Sequence, residues 1–186
     1  MNEIRVGITG HRILAEIDKI EYGVERALNH ITERYAGCSL VLLSSLAEGS
    51  DRIAARLVLN RKGGGLVAVL PFDETEYIND FPSTESIDDF RAFLKSAREL
   101  ITLPSSSTRD QSYEAAGLYV LDHCAVLMCI WDGNPAQGTG GTGGIVQEAR
   151  KRKMPIAWIH AGNRKPGTHE PTTLGEEQGT VTFEGF

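Results

Sequence analysis

The sequence predicts a doubly wound α/β fold, a mainly parallel sheet of about six strands with helices on both faces. Three observations carry this. Short apolar runs alternate with segments of helical period along most of the chain. The runs are apolar on both faces, as strands buried between two helical layers must be. Unusual glycine-bearing loops follow several predicted strand ends, where open parallel sheets bind ligands.

The elements follow in order. Ile4 to Thr9 reads as a first strand broken by Gly10. Ile17, Ile20, Val24, Leu28, Ile31 and Tyr35 recur at steps of three and four, one buried helical stripe. Leu40 to Leu43 is a second strand, followed by a helix from about Ser50 to Arg61 with Ile53, Leu57 and Val58 inward and Arg52 and Arg56 outward. Three glycines (63–65) end that helix, and Leu66 to Pro71 is a third strand. Asp73 and Glu76 have capping-box spacing for a short helix, and Ile87, Phe90, Leu94 and Ala97 mark a longer one. Leu100 to Leu103 is a brief strand stopped by Pro104; a helix from about Asp110 to His123 follows the polar loop 105–108. Ala125 to Trp131 is the strongest strand, leading through loop 132–144 into a helix from Gly144 to Lys153 and a strand from Ile156 to His160. Residues 1–162 thus read as one domain. In the Gly/Pro/Thr-rich tail, 163–186, Thr180 to Phe183 alternates as an edge strand would, against this sheet or that of a neighbouring subunit.

Bulk properties narrow the function. The chain has 186 residues, with 19 Lys and Arg against 25 Asp and Glu, a net charge of −6. That balance makes nucleic acid an unlikely partner, because sequence-independent binding needs a concentrated basic surface. The basic run Arg150 to Lys153 falls at a helix C-terminus, where cations complement the dipole. No apolar run reaches membrane-spanning length and the N-terminus lacks a signal-peptide pattern, so the expectation is a cytoplasmic protein without a membrane partner. Cys38, Cys124 and Cys129 are read as reduced core thiols, and His30, His123 and His169 have no metal-ligand spacing.

Three loops leave strand ends with residues that chemistry can use. The first is Thr9, Gly10, His11 and Arg12; the second runs from Ser44 to Asp51; the third, 132–144, holds six of the chain's 20 glycines. Glycines let a backbone approach an anion closely, and a helix N-terminus offers it free N–H groups, so a phosphate is the expected guest on Gly140, Gly141, Thr142 and Gly143. Thr139 or Thr142 would add a hydroxyl. The Lys-Ser/Thr ending of a Walker loop is absent.

Val6 to Arg12, Leu46 to Arg52, Trp131 to Gly133 and Gly140 to Thr142 together resemble the SLOG superfamily. This is the Rossmann-like group containing the LOG (so-called lysine-decarboxylase-like) proteins, the DNA-processing protein DprA and the YpsA-like proteins. The likeness runs from about Ile4 to Ala161 and implies a sheet-edge pocket for a nucleotide or nucleotide derivative, in a homodimer or larger homo-oligomer. The enzymatic LOG branch carries P-G-G-x-G-T-x-x-E and cleaves the N-glycosidic bond of nucleoside 5′-monophosphates. Aligned on Gly141 and Thr142, this chain has Ile145 where that family has glutamate; aligned two residues on, it has Gly144 for the threonine and Gln147 for the glutamate. The catalytic carboxylate is not carried over, so binding ranks above catalysis.

The remaining candidates each have a bland and a functional reading. Arg12 would grip phosphate and His11 donate to phosphate or stack on a base, or both cap the next helix. Ser44 and Ser45 cap or bind phosphate. Glu48 and Asp51 oppose a helix dipole or accept ribose hydroxyls beside Gly49. Asp132 and Gly133 contact ligand or form an Asp-Gly turn. Arg109, Tyr113 and Glu114 open a helix facing the same edge. Glu48 and Glu114 are the candidate acid/base carboxylates if there is a reaction. The expectation is a nucleotide sensor or carrier with no required cofactor and no metal; the alternative is a phosphoribohydrolase.

Overall fold

The computed structural model describes residues 2–135 and 140–186. Seven strands form one sheet in the order β4-β3-β2-β1-β5-β6-β7. The strands are β1 (Glu3–Gly10), β2 (Ser39–Ser44), β3 (Gly65–Leu70), β4 (Glu99–Thr102), β5 (Val126–Trp131), β6 (Ile156–His160) and β7 (Val181–Glu184). Neighbours pair in parallel except β6 and β7, which run antiparallel. The helices are α1 (Ile17–Arg34), α2 (Ser50–Leu59), α3 (Glu74–Tyr77), α4 (Thr84–Ser96), α5 (Arg109–His123) and α6 (Thr142–Lys151).

The chain steps outward from β1 to β4, then returns to place β5 on the other side of β1. Right-handed crossovers put the helices of opposite travel on opposite faces. Accordingly α1 to α4 share one core with the inward side chains Val6, Leu42, Ala68 and Met128, whereas α5 and α6 pack on the other face against Val41, Val67, Leu127 and Cys129. Every residue of β5 is buried, as expected of a central strand covered twice. The reversal between β1 and β5 leaves a gap at the carboxyl edge of the sheet, because the loops after these strands diverge to opposite faces.

Three expectations change. The sheet has seven strands, because the tail adds β7; this strand pairs with β6 of its own chain, through contacts such as Ala157 with Phe183, and so occupies that edge itself. Asp73 caps α3 by accepting from the Glu76 backbone N–H, but the Glu76 carboxylate binds Arg109, so only half of the capping box forms. Arg52, expected outward with Arg56, is only 5% exposed. Its Nε donates to the Leu46 carbonyl at 3.1 Å and its Nη1 to the Ser86 carbonyl at 2.9 Å, while its guanidinium lies 4.6 Å from the centre of the Phe81 ring. The segment from α3 to α4 folds over that side of α2 and supplies the carbonyl and aromatic partners that a cation requires inside.

Among the described residues no helix is long and apolar enough to cross a membrane. Cys38, Cys124 and Cys129 are free thiols, and burial pushes the Cys124 thiol up to about 11, which keeps it protonated and unreactive.

Candidate functional site

A cleft of about 1020 Å³ opens where the strand order reverses. It is lined on one side by Gly10 at the end of β1 and His11, Arg12 and Ile13 after it, on the other by Trp131 at the end of β5 and Asp132 after it, and by Gly140, Gly141, Thr142 and Gly143 at the start of α6. The first turn of a helix carries N–H groups with no intrahelical acceptor, so α6 directs a partial positive charge at this cleft. Gly141 is its N-cap, without a side-chain cap. Thr139 lies outside the described residues.

Sequence spacing brings eight of the candidates to the cleft: Gly10, His11, Arg12, Asp132, Gly140, Gly141, Thr142 and Gly143. His11 and Asp132 face each other across the β1–β5 seam. The Asp132 backbone N–H donates to His11 Nε2 at 3.1 Å, and the Asp132 carboxylate lies 3.2 Å from the same nitrogen. Burial lowers the His11 pKa, against the opposing pull of the Asp132 charge. The same ring nitrogen thus faces both a backbone donor and a carboxylate acceptor, which suit opposite protonation states of Nε2. Arg12 is exposed on the cleft, with its guanidinium 5.2 Å from the centre of the Tyr113 ring.

The second loop is tied into the fold from within. Ser44 is fully buried; its hydroxyl donates to Asp51 at 2.8 Å and accepts the Leu46 N–H at 2.9 Å. The nearby backbone of Ser45 and Ala47 also favours the charged form of Asp51. These residues hold the β2–α2 turn from within and do not line the cleft. Glu48 accepts from the Ser86 hydroxyl, which also binds Arg52, so its carboxylate belongs to the packing of α4. Gly49 brings the N-terminus of α2 against the β1–α1 loop, where Ser50 donates to the His11 carbonyl through both N–H (3.2 Å) and hydroxyl (2.7 Å). Gly49 and Glu48, where ribose was expected, thus pack behind the β1–α1 loop and are not among the residues lining the cleft.

Thr9, Gly133, Arg109, Tyr113 and Glu114 are also off the lining. Thr9 lies within β1, paired with Cys129, and Gly133 turns the chain above Trp158. Tyr113 donates to Asp80, which Arg109 binds at 2.6 Å, so both form an ion-pair cluster behind Arg12. Gly140 backs onto the first turn of α5, 3.1 Å from the Glu114 nitrogen for a Cβ placed there. Neither Glu48 nor Glu114 presents a carboxylate to the cleft; Asp132 is the lining carboxylate.

The tail was not expected in the site, yet Gly162, Asn163, Arg164, Pro166, Gly167, Thr172 and Leu174 form one wall. Gln178, 3% exposed, fastens this wall: its amide donates to the Ala15 carbonyl at 2.9 Å, and its oxygen accepts from Gly162 (2.9 Å) and Leu174 (3.1 Å). The signal was present in the sequence, since β6 ends at the same edge as the other parallel strands and its following loop had to emerge there.

Asp51 gives a pH dependence. Burial pushes its carboxyl up from 3.8 to about 6, against the Ser44 hydrogen bond and the Arg12 charge. A folded-state pKa above the unfolded value means the native state binds the proton more tightly. The associated stability is fully present below pH 3.8 and is lost as pH rises through about 6. Relative to the wild type, Asp51→Asn is expected to gain about 2–3 kcal/mol between pH 4 and pH 6.5, whatever its constant offset. Urea unfolding across that range measures this; parallel curves would contradict it.

Among the described residues no cluster of His, Cys, Asp and Glu is arranged to hold a metal ion. No protein-family model matches the chain, and no curated protein matches it significantly.

Proposed function

We propose that the protein binds a nucleotide or nucleotide derivative in the switch-point cleft, as a sensor or carrier, in keeping with the resemblance of its motifs to the SLOG superfamily. One observation carries the reading. In a chain of net charge −6, the cleft exposes two arginines, Arg12 and Arg164, beside the N-terminus of α6, against one lining carboxylate, Asp132, whose side chain is largely buried beside His11. This is an environment for an anion. A phosphate on Gly141 to Gly143 would take N–H groups from α6 and the Thr142 hydroxyl, leaving sugar and base along His11, Arg12 and Trp131.

A thermal-shift panel of the nucleoside monophosphates and dinucleotides tests this. A ligand at a hundred times its Kd adds about 2.7 kcal/mol, roughly 5–10 °C for a chain of this size. Arg12→Ala is expected to abolish the shift while leaving the unliganded Tm within a few degrees. No shift with any member of the panel rejects the reading. Release of free base from a nucleoside monophosphate would replace it with a phosphoribohydrolase, for which Asp132, beside His11, is the carboxylate in reach of the cleft.

A further inference from the structure

The cleft extends beyond the β1–β5 seam. Between β6 and β7 the chain makes a hairpin-like excursion, residues 163–172, held by Thr172 N–H to the Asn163 carbonyl (2.6 Å), Lys165 N–H to the Glu170 carbonyl (2.9 Å) and a bridge from Arg164 to Pro171. Its other cation, Lys165, is paired with Glu170 at 2.5 Å. Arg164 is exposed on the cleft wall, with no carboxylate partner among the described residues. Arg12 leaves the end of β1 and Arg164 the end of β6, with β5 between them. Two strand spacings separate these strands by about 10 Å, several times the span of one phosphate's oxygens. The cleft between them is also at the upper end of the roughly 300–1,000 Å³ typical of small-molecule sites.

Resting on the nucleotide reading above, we propose that the excursion 163–172 is the second wall of the ligand site, with Arg164 holding a second anionic group, so that the ligand is a nucleotide carrying two phosphates rather than a nucleoside monophosphate. Arg12 and the α6 N-terminus hold one phosphate; Arg164 meets the other from across the cleft. The guanidinium fork suits this task, because it offers paired N–H donors to a phosphate and stays charged at every relevant pH.

Isothermal titration of the full chain with AMP, ADP and the dinucleotide pApA, and with their guanine counterparts, tests the assignment. In the wild type, one of the two-phosphate probes is expected to bind at least tenfold more tightly than its monophosphate. Arg164→Gln is expected to erase that advantage by weakening the two-phosphate probe at least tenfold more than its monophosphate, and Arg164→Lys to restore part of it. An unchanged Tm for both variants excludes a folding effect. Equal wild-type affinity for one-phosphate and two-phosphate probes, or a preference that survives Arg164→Gln, overturns this assignment and leaves the nucleotide reading standing. Binding of none of the probes overturns both.

Discussion

Gly49→Ala is expected to destabilise the protein by about 3 kcal/mol, lowering Tm by roughly 6–12 °C. Gly49 caps α2 at φ 75° and ψ −116°, a backbone conformation that side chains disfavour. A Cβ there would also fall on the carbonyl groups of Arg12 and His11, the latter at 2.7 Å. These are backbone atoms and cannot rotate away, so the β1–α1 loop must shift or α2 must retreat. Gly63→Ala supplies the control. Its φ is 76°, but nothing lies within 4 Å of the added atom, so it should cost only about 1 kcal/mol. Equal losses in the two variants, read by urea unfolding, would show that the contact with the Arg12 loop contributes nothing. Since that loop lines the cleft, Gly49→Ala should also weaken any ligand that depends on Arg12.

The second large effect is Arg52→Ala, with an expected loss of about 3 kcal/mol. The substitution strands the Leu46 and Ser86 carbonyls, removes the cation from the Phe81 and Phe90 rings and empties a site that is 5% exposed. Arg56→Ala is the comparison within the same helix. Arg56 is half exposed and reaches Glu21 at 3.7 Å, so its loss should stay within about 0.5 kcal/mol. Arg52→Lys is expected to fall between them, because one ammonium cannot serve Leu46 and Ser86 together. Chemical denaturation of the three variants checks the order, and a result in which Arg52→Ala matches Arg56→Ala contradicts it.

These two arginines mark where sequence reading stopped. They are four residues apart on one helix, so periodicity assigned them the same outward face. The difference comes from α4 and the segment before it, which cover Arg52 with Phe81, Ser86 and Phe90. Contacts between residues about thirty or more positions apart leave no trace in the spacing of one helix. Glu48 and Asp51 were ambiguous for the same reason: a carboxylate near a helix start serves a ligand or the fold, and only the positions of Ser86 and Ser44 decide. The sheet was legible from β1 to β6 because most of these strands are apolar runs and β1 to β5 are each followed by a helical segment. The cleft was legible to the extent that it follows strand order, through Gly10 to Arg12, Asp132 and Gly140 to Gly143. Its tail wall was missed because residues 163–178 have neither strand nor helix period, and are held by specific hydrogen bonds to Gln178 instead.

The Gln178 clamp bears on how the protein is made. Its amide ties the segment after β6 to Ala15, a residue that leaves the ribosome far earlier. Until the chain has been synthesised through β7, β6 presents an unpaired edge to neighbouring nascent chains, the kind of edge that invites wrong pairing. The cleft lacks a wall over the same interval. A single late event, the docking of residues 163–184, therefore covers the open edge and completes the pocket together, so that ligand capture reports on a sheet closed through β7.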